Sequence, residues 1–207
     1  MIVYKFSLCF SSSVESKNYL IKLGAKNVVN VGNLKFSQTE KNFIERYNNF
    51  EGFIKSKKIW CASSTHYNEE ELCGIVHKEL KQKYKNLLTI IIPRHVERVG
   101  EINKQIKGLN LSTFLHSSKN KLLKKIDIYI VDTFGETKLF YQKTPTVFLG
   151  KSITATGGQN PLEAARYGAK ILHGPHVGNF KDIYRLLKSL KISNQVGKIE
   201  QIVNNIT

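Results

Sequence analysis

Pro145-Thr-Val-Phe-Leu149 leads into Thr154-Ala-Thr-Gly-Gly-Gln-Asn-Pro-Leu-Glu163 and on to Ala164-Ala-Arg-Tyr-Gly168. The apolar run reads as a buried strand, and the second segment starts a helix. Asn160 is a good N-cap and Pro161 suits the first helical position. Glu163 stands three after the cap, where its carboxylate can reach back to the cap N–H. Gly157 and Gly158 remove side chains just before the cap, so backbone N–H groups can approach an anion. A strand, a glycine turn and a helix N-terminus make a phosphate site, and they equally make an ordinary tight βα connection. Taken alone, the stretch leaves both readings open.

Outward from it, the same grammar repeats. Ile2 to Phe10 reads as a strand, and Ser11-Ser-Ser13 offers caps for a helix through Leu20 and Leu23 that Gly24 stops. Asn27 to Val31 is a short second strand. Ser37 to Lys58 is polar, with a weak amphipathic pattern at Phe43, Ile44, Tyr47 and Phe50. Ile59-Trp-Cys-Ala62 is a third strand, and the helix after it carries Leu72, Ile75, Val76 and Leu80 on one face. Three glutamates, Glu69 to Glu71, occupy its first turn and suit a helix N-terminus.

Leu87-Leu-Thr-Ile-Ile-Ile92 is the most continuous apolar run. It is short and β-branched, as in a parallel strand buried on both faces. A helix over Glu97 to Leu109 follows, then strands at Leu111 to Leu115, Ile126 to Val131 and Lys170 to Leu172. Phe180 to Leu190 is amphipathic, and a last helical piece follows Val196-Gly197. Strands alternating with helices at short spacing predict an α/β fold, a mainly parallel sheet flanked by helices. Ligands of such sheets sit at the carboxyl ends of the strands.

Composition sets the bounds. The chain has 207 residues, 41% of them hydrophobic, enough for a sizeable core. Its net charge is +16, from 32 basic and 16 acidic residues, which favours anionic partners. That excess is spread along the chain, as on a lysine-rich solvated surface, and no recognition helix or RNP-type aromatic motif argues for nucleic acid. No run approaches the roughly 18 apolar residues of a membrane span. Cys9, Cys61 and Cys73 form no CxxC pair and imply a reducing compartment without disulfides.

Polar motifs fall just after predicted strands: Ser63 to His66, Pro93 to His95, Asp132 to Glu136, Gly157 to Glu163 and His173 to His176. Arg94 is a fork for phosphate or carboxylate, or one half of a surface ion pair. Ser63 reads as an N-cap. His66 is a cap neighbour or a ligand contact. Phe134 flanks a base or ribose, or is simply buried. Glu163 bonds ribose hydroxyls, caps its helix, or does both. His173 and His176 stand i, i+3 around Gly174-Pro175, which is not helical, so a metal site there is disfavoured. No Asp-x-Asp pair and no GxxxxGK[ST] loop occurs. The convergence of strand-end motifs points to one site more strongly than any motif alone.

Val31-Gly-Asn-Leu-Lys-Phe36, Ala62-Ser-Ser-Thr-His66 with Glu69-Glu70, Ile92-Pro-Arg-His95, Asp132-Thr-Phe-Gly-Glu136, Gly157 to Glu163 and Gly174 to Phe180 occur in one order across nearly the whole chain. Together they resemble the C-terminal half of the 3-deoxy-D-manno-octulosonic acid (Kdo) transferases of lipopolysaccharide core synthesis. The resemblance implies one Rossmann-like domain over 1–207, the donor-binding C-terminal domain of a GT-B glycosyltransferase. It implies CMP-Kdo as donor, contacted by Pro93, Arg94, Phe134, Gly135, Glu136, Asn160, Leu162 and Glu163. It also brings His66 toward the donor's phosphate or carboxylate, with Gly157 and Gly158 nearby. The family transfers Kdo with inversion, without metal or cofactor, using a carboxylate base in its N-terminal domain.

That domain, with its membrane anchor and lipid A surface, and the extreme C-terminal region have no counterpart here. The resemblance therefore implies no catalytic residue in this chain and a donor half acting with a missing acceptor half. The lipid A precursor would be met through that missing half, on the cytoplasmic face of the bacterial inner membrane. Basic charge would favour peripheral contact with anionic lipid, and the chain alone would be soluble and cytoplasmic, with no nucleic-acid partner. Two alternatives stand: the donor domain of another GT-B transferase or sugar-nucleotide epimerase, and a non-catalytic basic binding module.

Overall fold

A computed structural model describes residues 3–32, 48–118 and 125–207. The expected contributions of Phe43, Ile44 and Tyr47, and the Asn33-Leu-Lys-Phe36 part of the first motif, lie outside the described residues. Where one domain over 1–207 was expected, internal contacts divide the chain into two compact units, Met1–Ile44 and Glu45–Thr207.

The first unit is a βαβ motif. β1 (Cys9–Ser11) pairs in parallel with β2 (Val28–Asn30), and α1 (Val14–Lys22) connects them. Ser13 caps α1 by accepting the Ser16 N–H at 3.0 Å, and Gly24, at φ +92°, ends the turn beyond it. The strand expected from Ile2 to Phe10 begins only at Cys9. Val3–Lys5 forms a 3-10 turn, because β2 offers only three residues for pairing and an apolar stretch without a partner makes no ladder.

The second unit carries a seven-stranded, wholly parallel sheet in the order β5-β6-β4-β3-β7-β8-β9. The strands are β3 (Lys58–Thr65), β4 (Leu87–Pro93), β5 (Thr113–Leu115), β6 (Ile128–Ile130), β7 (Thr146–Leu149), β8 (Lys170–His173) and β9 (Ser193–Gln195). β9 escaped sequence reading because it is polar and three residues long. The helices are α2 (Asn48–Ile54), α3 (Glu69–Lys83), α4 (Val99–Gly108), α5 (Thr137–Tyr141), α6 (Leu162–Arg166), α7 (Lys181–Ser189) and α8 (Ile199–Ile206).

The strand alternation divides the core in two. Cys61, Ile90, Val147 and Ile171 face a cluster with Phe50, Phe140 and Tyr184. Trp60, Ala62, Ile91 and Ile128 face Val76, Ile102 and Ile202 across the sheet. β4 is buried at all seven positions, as a strand covered on both faces must be. Each buried Ile or Leu there contributes about 1.5–3 kcal/mol. The path runs from β3 outward through β4, and from β7 outward the other way, so the sheet reverses direction at β3 and β7.

One buried carboxylate fastens that reversal. Glu69, at the start of α3, is fully buried. Its Oε2 accepts the N–H of His66 at 2.9 Å and of Lys151 at 2.8 Å; Oε1 accepts those of Ser152 at 3.1 Å and Ile153 at 3.0 Å. Glu69 does more than complement the dipole of α3. Glu69 is also a bridge from the end of β3 to the loop after β7. Gly150 makes room for it: a Cβ there would lie 2.5 Å from the Ser64 carbonyl and 2.6 Å from Glu69 Oε2.

At the opposite end of the sheet, Asp127 pairs with Lys81 and accepts the Ser112 N–H at 2.9 Å. Burial alone would raise its pKa, but hydrogen bonds with His77, Lys81 and Ser112 outweigh it and hold the carboxyl far below the usual range. A carboxylate depressed in the folded state stabilises above its unfolded pKa of about 3.9 and loses that contribution in acid. Urea midpoints should therefore fall as pH drops below about 4, and Asp127→Asn should flatten this decline. Glu69→Gln turns one oxygen into an amine facing two N–H donors, so chemical denaturation should register a loss of about 3 kcal/mol.

Candidate functional site

The carboxyl ends of β3, β4, β6 and β7 open into a cleft of about 230 Å³. It lies where the strand order reverses, the expected ligand position in such sheets. Pro93, Arg94, Phe134, Gly135, Glu136, Asn160 and Glu163 line it, although 70 residues separate the first from the last. Leu162 does not line the cleft. Its N–H donates to Asn160 Oδ1 at 3.2 Å.

Each wall has its own origin. Arg94 follows β4, and its N–H donates to the Thr65 carbonyl at 3.0 Å. Its exposed guanidinium forms no ion pair with any described residue, so the surface ion-pair alternative is not realised among them. Phe134, in the turn after β6, is 75% exposed. The buried-Phe alternative is thereby overturned, and a bare phenyl face stands at the cleft. Gly135 follows at φ +83°, a conformation that favours glycine.

Glu136 is held from behind. His116 Nε2 lies 3.1 Å from Glu136 Oε2, and the Thr133 hydroxyl donates to the same oxygen. His116 Nδ1 in turn bonds the Tyr129 hydroxyl at 2.7 Å. Sequence reading passed over His116 and Thr133. The available signal was that His116 directly follows a strand, as the other site residues do.

The third wall corrects the sequence expectation at several points. α6 has only five residues, and Pro161 ahead of it already has helical dihedrals, φ −82° and ψ −11°, as expected of a first helical position. Asn160 Oδ1 accepts the Leu162 N–H, two residues on, which is the bond expected of an N-cap at 160. Gly157 and Gly158 lie outside the cleft lining. The Gly158 N–H donates to the Lys151 carbonyl at 2.9 Å, which leaves it no amide for an anion. A Cβ at Gly157 would meet Asn179 at 2.8 Å, and one at Gly158 would meet Val177 at 2.9 Å. These glycines therefore serve close packing against the loop after β8. Gln159, unassigned from sequence, lines the cleft, and its carbonyl accepts the Tyr184 hydroxyl at 2.9 Å.

His66 also lies outside the cleft lining. Its Nδ1 bonds the Ser64 carbonyl at 3.0 Å, which makes Nδ1 the protonated nitrogen. Burial lowers its pKa, against the pull of that bond and of Glu69; His95 and Lys151 lower it further. With Nδ1 bonded to the backbone, Nε2 would donate to a phosphate only from the protonated ring, the form that burial disfavours. Ser63 is not a cap: its hydroxyl is buried 2.6 Å from the Tyr141 hydroxyl. His173 bonds the Gly174 carbonyl at 2.7 Å and packs on Tyr184 with ring centroids 4.2 Å apart.

Chemically, the cleft combines a guanidinium for an anion, two carboxylates for hydroxyl or amine donors, and an apolar ring for a planar group. No family model matches the chain. It is 31% identical to the 3-deoxy-D-manno-octulosonic acid transferase of Rickettsia felis, over all of this chain and 45% of that protein. The chain thus spans about half the length of the curated relatives it matches. The C-terminal CMP-Kdo binding domain of WaaA from Acinetobacter baumannii superposes with TM-score 0.71 at 24% identity, covering 76% of this chain and 82% of that one. A Listeria monocytogenes structure described as a UDP-N-acetylglucosamine 2-epimerase superposes with TM-score 0.55 at 15% identity, covering 98% of this chain and 50% of its own. Over its whole length the chain is thus similar in sequence to about half of a 3-deoxy-D-manno-octulosonic acid transferase, and it shares the fold of the C-terminal CMP-Kdo binding domain of WaaA.

Proposed function

We propose that this chain is the donor-binding half of a Kdo transferase, holding CMP-Kdo in the cleft while Kdo passes to a lipid A precursor in lipopolysaccharide core synthesis. The observation that carries the reading is the gathering of Arg94, Phe134, Glu136, Asn160 and Glu163 at one strand reversal. Arg94 takes the phosphate in its fork, Glu163 accepts ribose hydroxyls, and Phe134 covers the base. Glu136, its Oε2 engaged by His116 and Thr133, is held in the cleft wall beside the ligand. Transfer is inverting and metal-independent in this reading, and its base comes from the acceptor half. The +16 charge assists peripheral contact with an anionic membrane; no described helix is long and apolar enough to cross one.

Calorimetric titration with CMP and UMP tests the reading. CMP should bind in preference to UMP and with modest salt dependence. Preference for UMP would move the chain to another GT-B activity. Equal, steeply salt-dependent binding of any polyanion would make it a basic binding module. Arg94→Ala should weaken CMP by about 10-fold or more, the scale of one charged hydrogen-bonding group; unchanged affinity would remove Arg94 from the site. The chain alone should transfer no Kdo to lipid A precursor, and product in a radiolabelled assay would contradict the assignment of the base to the other half.

His116 should act as a positioning residue. In His116→Ala, CMP affinity should fall about 3–10-fold, as for one lost hydrogen bond, and Glu136→Gln in that background should add little further loss. Independent, additive losses would break the proposed link between them.

A further inference from the structure

β3 is buried along its length except at its first residue, Lys58, and at Ser64. Ser64 stands between Ser63 and Thr65, neither of which is exposed at all. It is also the extra residue of a bulge. Ser63 pairs with Ile92 and Thr65 with Pro93, which are consecutive on β4, so Ser64 has no partner across the ladder. Its φ is +54°, in the left-handed region that a residue with a Cβ enters only at a cost. Regular alternation would carry Ser64 to the face of Trp60 and Ala62, against the cluster that holds Val76. Instead it lines the cleft beside Ile92, Pro93 and Arg94. Re-aiming a side chain next to a ligand site is a recurrent use of a bulge.

The backbone of Ser64 is held from outside. Its carbonyl bonds the His66 ring at 3.0 Å, and Gly150 closes against the same oxygen, where a Cβ would come within 2.5 Å. None of this uses the side chain. The Ser64 hydroxyl bonds no described residue, whereas the Ser63 hydroxyl is engaged by Tyr141 and the Thr133 hydroxyl by Glu136. Glycine would adopt this φ without strain. A serine held there keeps a strained backbone in order to present a hydroxyl, and strain of this kind gathers at functional sites.

Arg94 belongs to the same pair of strand ends: its N–H donates to the Thr65 carbonyl at 3.0 Å, one residue beyond the bulge. Glu136 and Glu163 come from the other walls. We infer that Ser64 is a further ligand contact, donating its hydroxyl to the anionic group that Arg94 pairs with. That group is a phosphate ester in the donor-binding reading, on which the inference rests. A hydroxyl gives the phosphate a second, charge-assisted hydrogen bond without placing another cation among the carboxylates. It reads the phosphate and not the base.

Calorimetric titration of the full chain carrying Ser64→Gly or Ser64→Ala, with CMP and with cytidine, tests this. Both variants should bind CMP about tenfold or more weakly, the scale of one hydrogen bond to a charged group. Neither should change the affinity for cytidine, which has no phosphate. The urea midpoint of Ser64→Gly should hold or rise, because glycine relieves the left-handed strain, so its loss of binding is no loss of folding. Unchanged CMP affinity in either variant, an equal loss for cytidine, or a lowered urea midpoint in Ser64→Gly overturns the inference. Failure of the donor reading looks different. A wild-type chain that prefers UMP refutes the base assignment alone, and Ser64 then faces the same criteria with UMP and uridine. A chain that binds neither nucleotide overturns both.

Discussion

The cleft depends on a single buried carboxylate. Glu69 accepts four backbone N–H groups from two chain segments 82 residues or more apart. A charge taken fully out of water is costly unless saturated with donors, and here the donors are main-chain amides of the loop that must be shaped. The arrangement excludes a side chain at Gly150 and leaves Ser64 at φ 54°, in the left-handed region. Backbone in that region costs energy and persists when its surroundings over-determine it. Ser152 carries the linkage onward: its hydroxyl donates to the Leu149 carbonyl and accepts the Gly174 N–H, tying β7 to the end of β8. The strand ends bordering the cleft are thus held in register by hydrogen bonds that no ligand has to supply.

Much of this arrangement was legible from local pattern. β4 announced itself by a run of apolar residues with a β-branched bias. The strand-end motifs fell in one cleft because parallel strands place every carboxyl end on the same side. What local pattern missed shares one cause: its partner is far away in sequence. Glu69 looked like a helix-dipole residue because its ligands lie at 151–153. His116 looked like nothing, because the residue it supports stands 20 positions on. Gly157 and Gly158 looked like an anion cradle because their tight neighbours, Val177 and Asn179, are visible only in three dimensions. Ser63 looked like a cap until Tyr141 was found beside it. The apolar start misled in the opposite sense. An apolar stretch needs a neighbouring strand before it becomes a ladder, and Val3–Lys5 forms a 3-10 turn instead.

The electrostatics of the cleft differ from those of the chain as a whole. Of the charged residues lining it, one is basic, Arg94, and two are acidic, Glu136 and Glu163. A ligand that is anionic along its whole length meets attraction at one point and repulsion at two. A ligand with one anionic group and several hydroxyl or amine donors meets attraction at all three. The exposed phenyl of Phe134 adds a surface for a flat ring and costs little in the free protein, since a single exposed aromatic is ordinary. The same geometry explains why the long-range field and the local site differ in sign content. The +16 excess is spread over the whole chain and screened within about 8–10 Å at ordinary salt, so it raises encounter rates with anionic surfaces more than it selects among ligands. In the proposed reading, selection belongs to the three charges and one ring that the end of β4, the turn after β6 and α6 bring to one cleft.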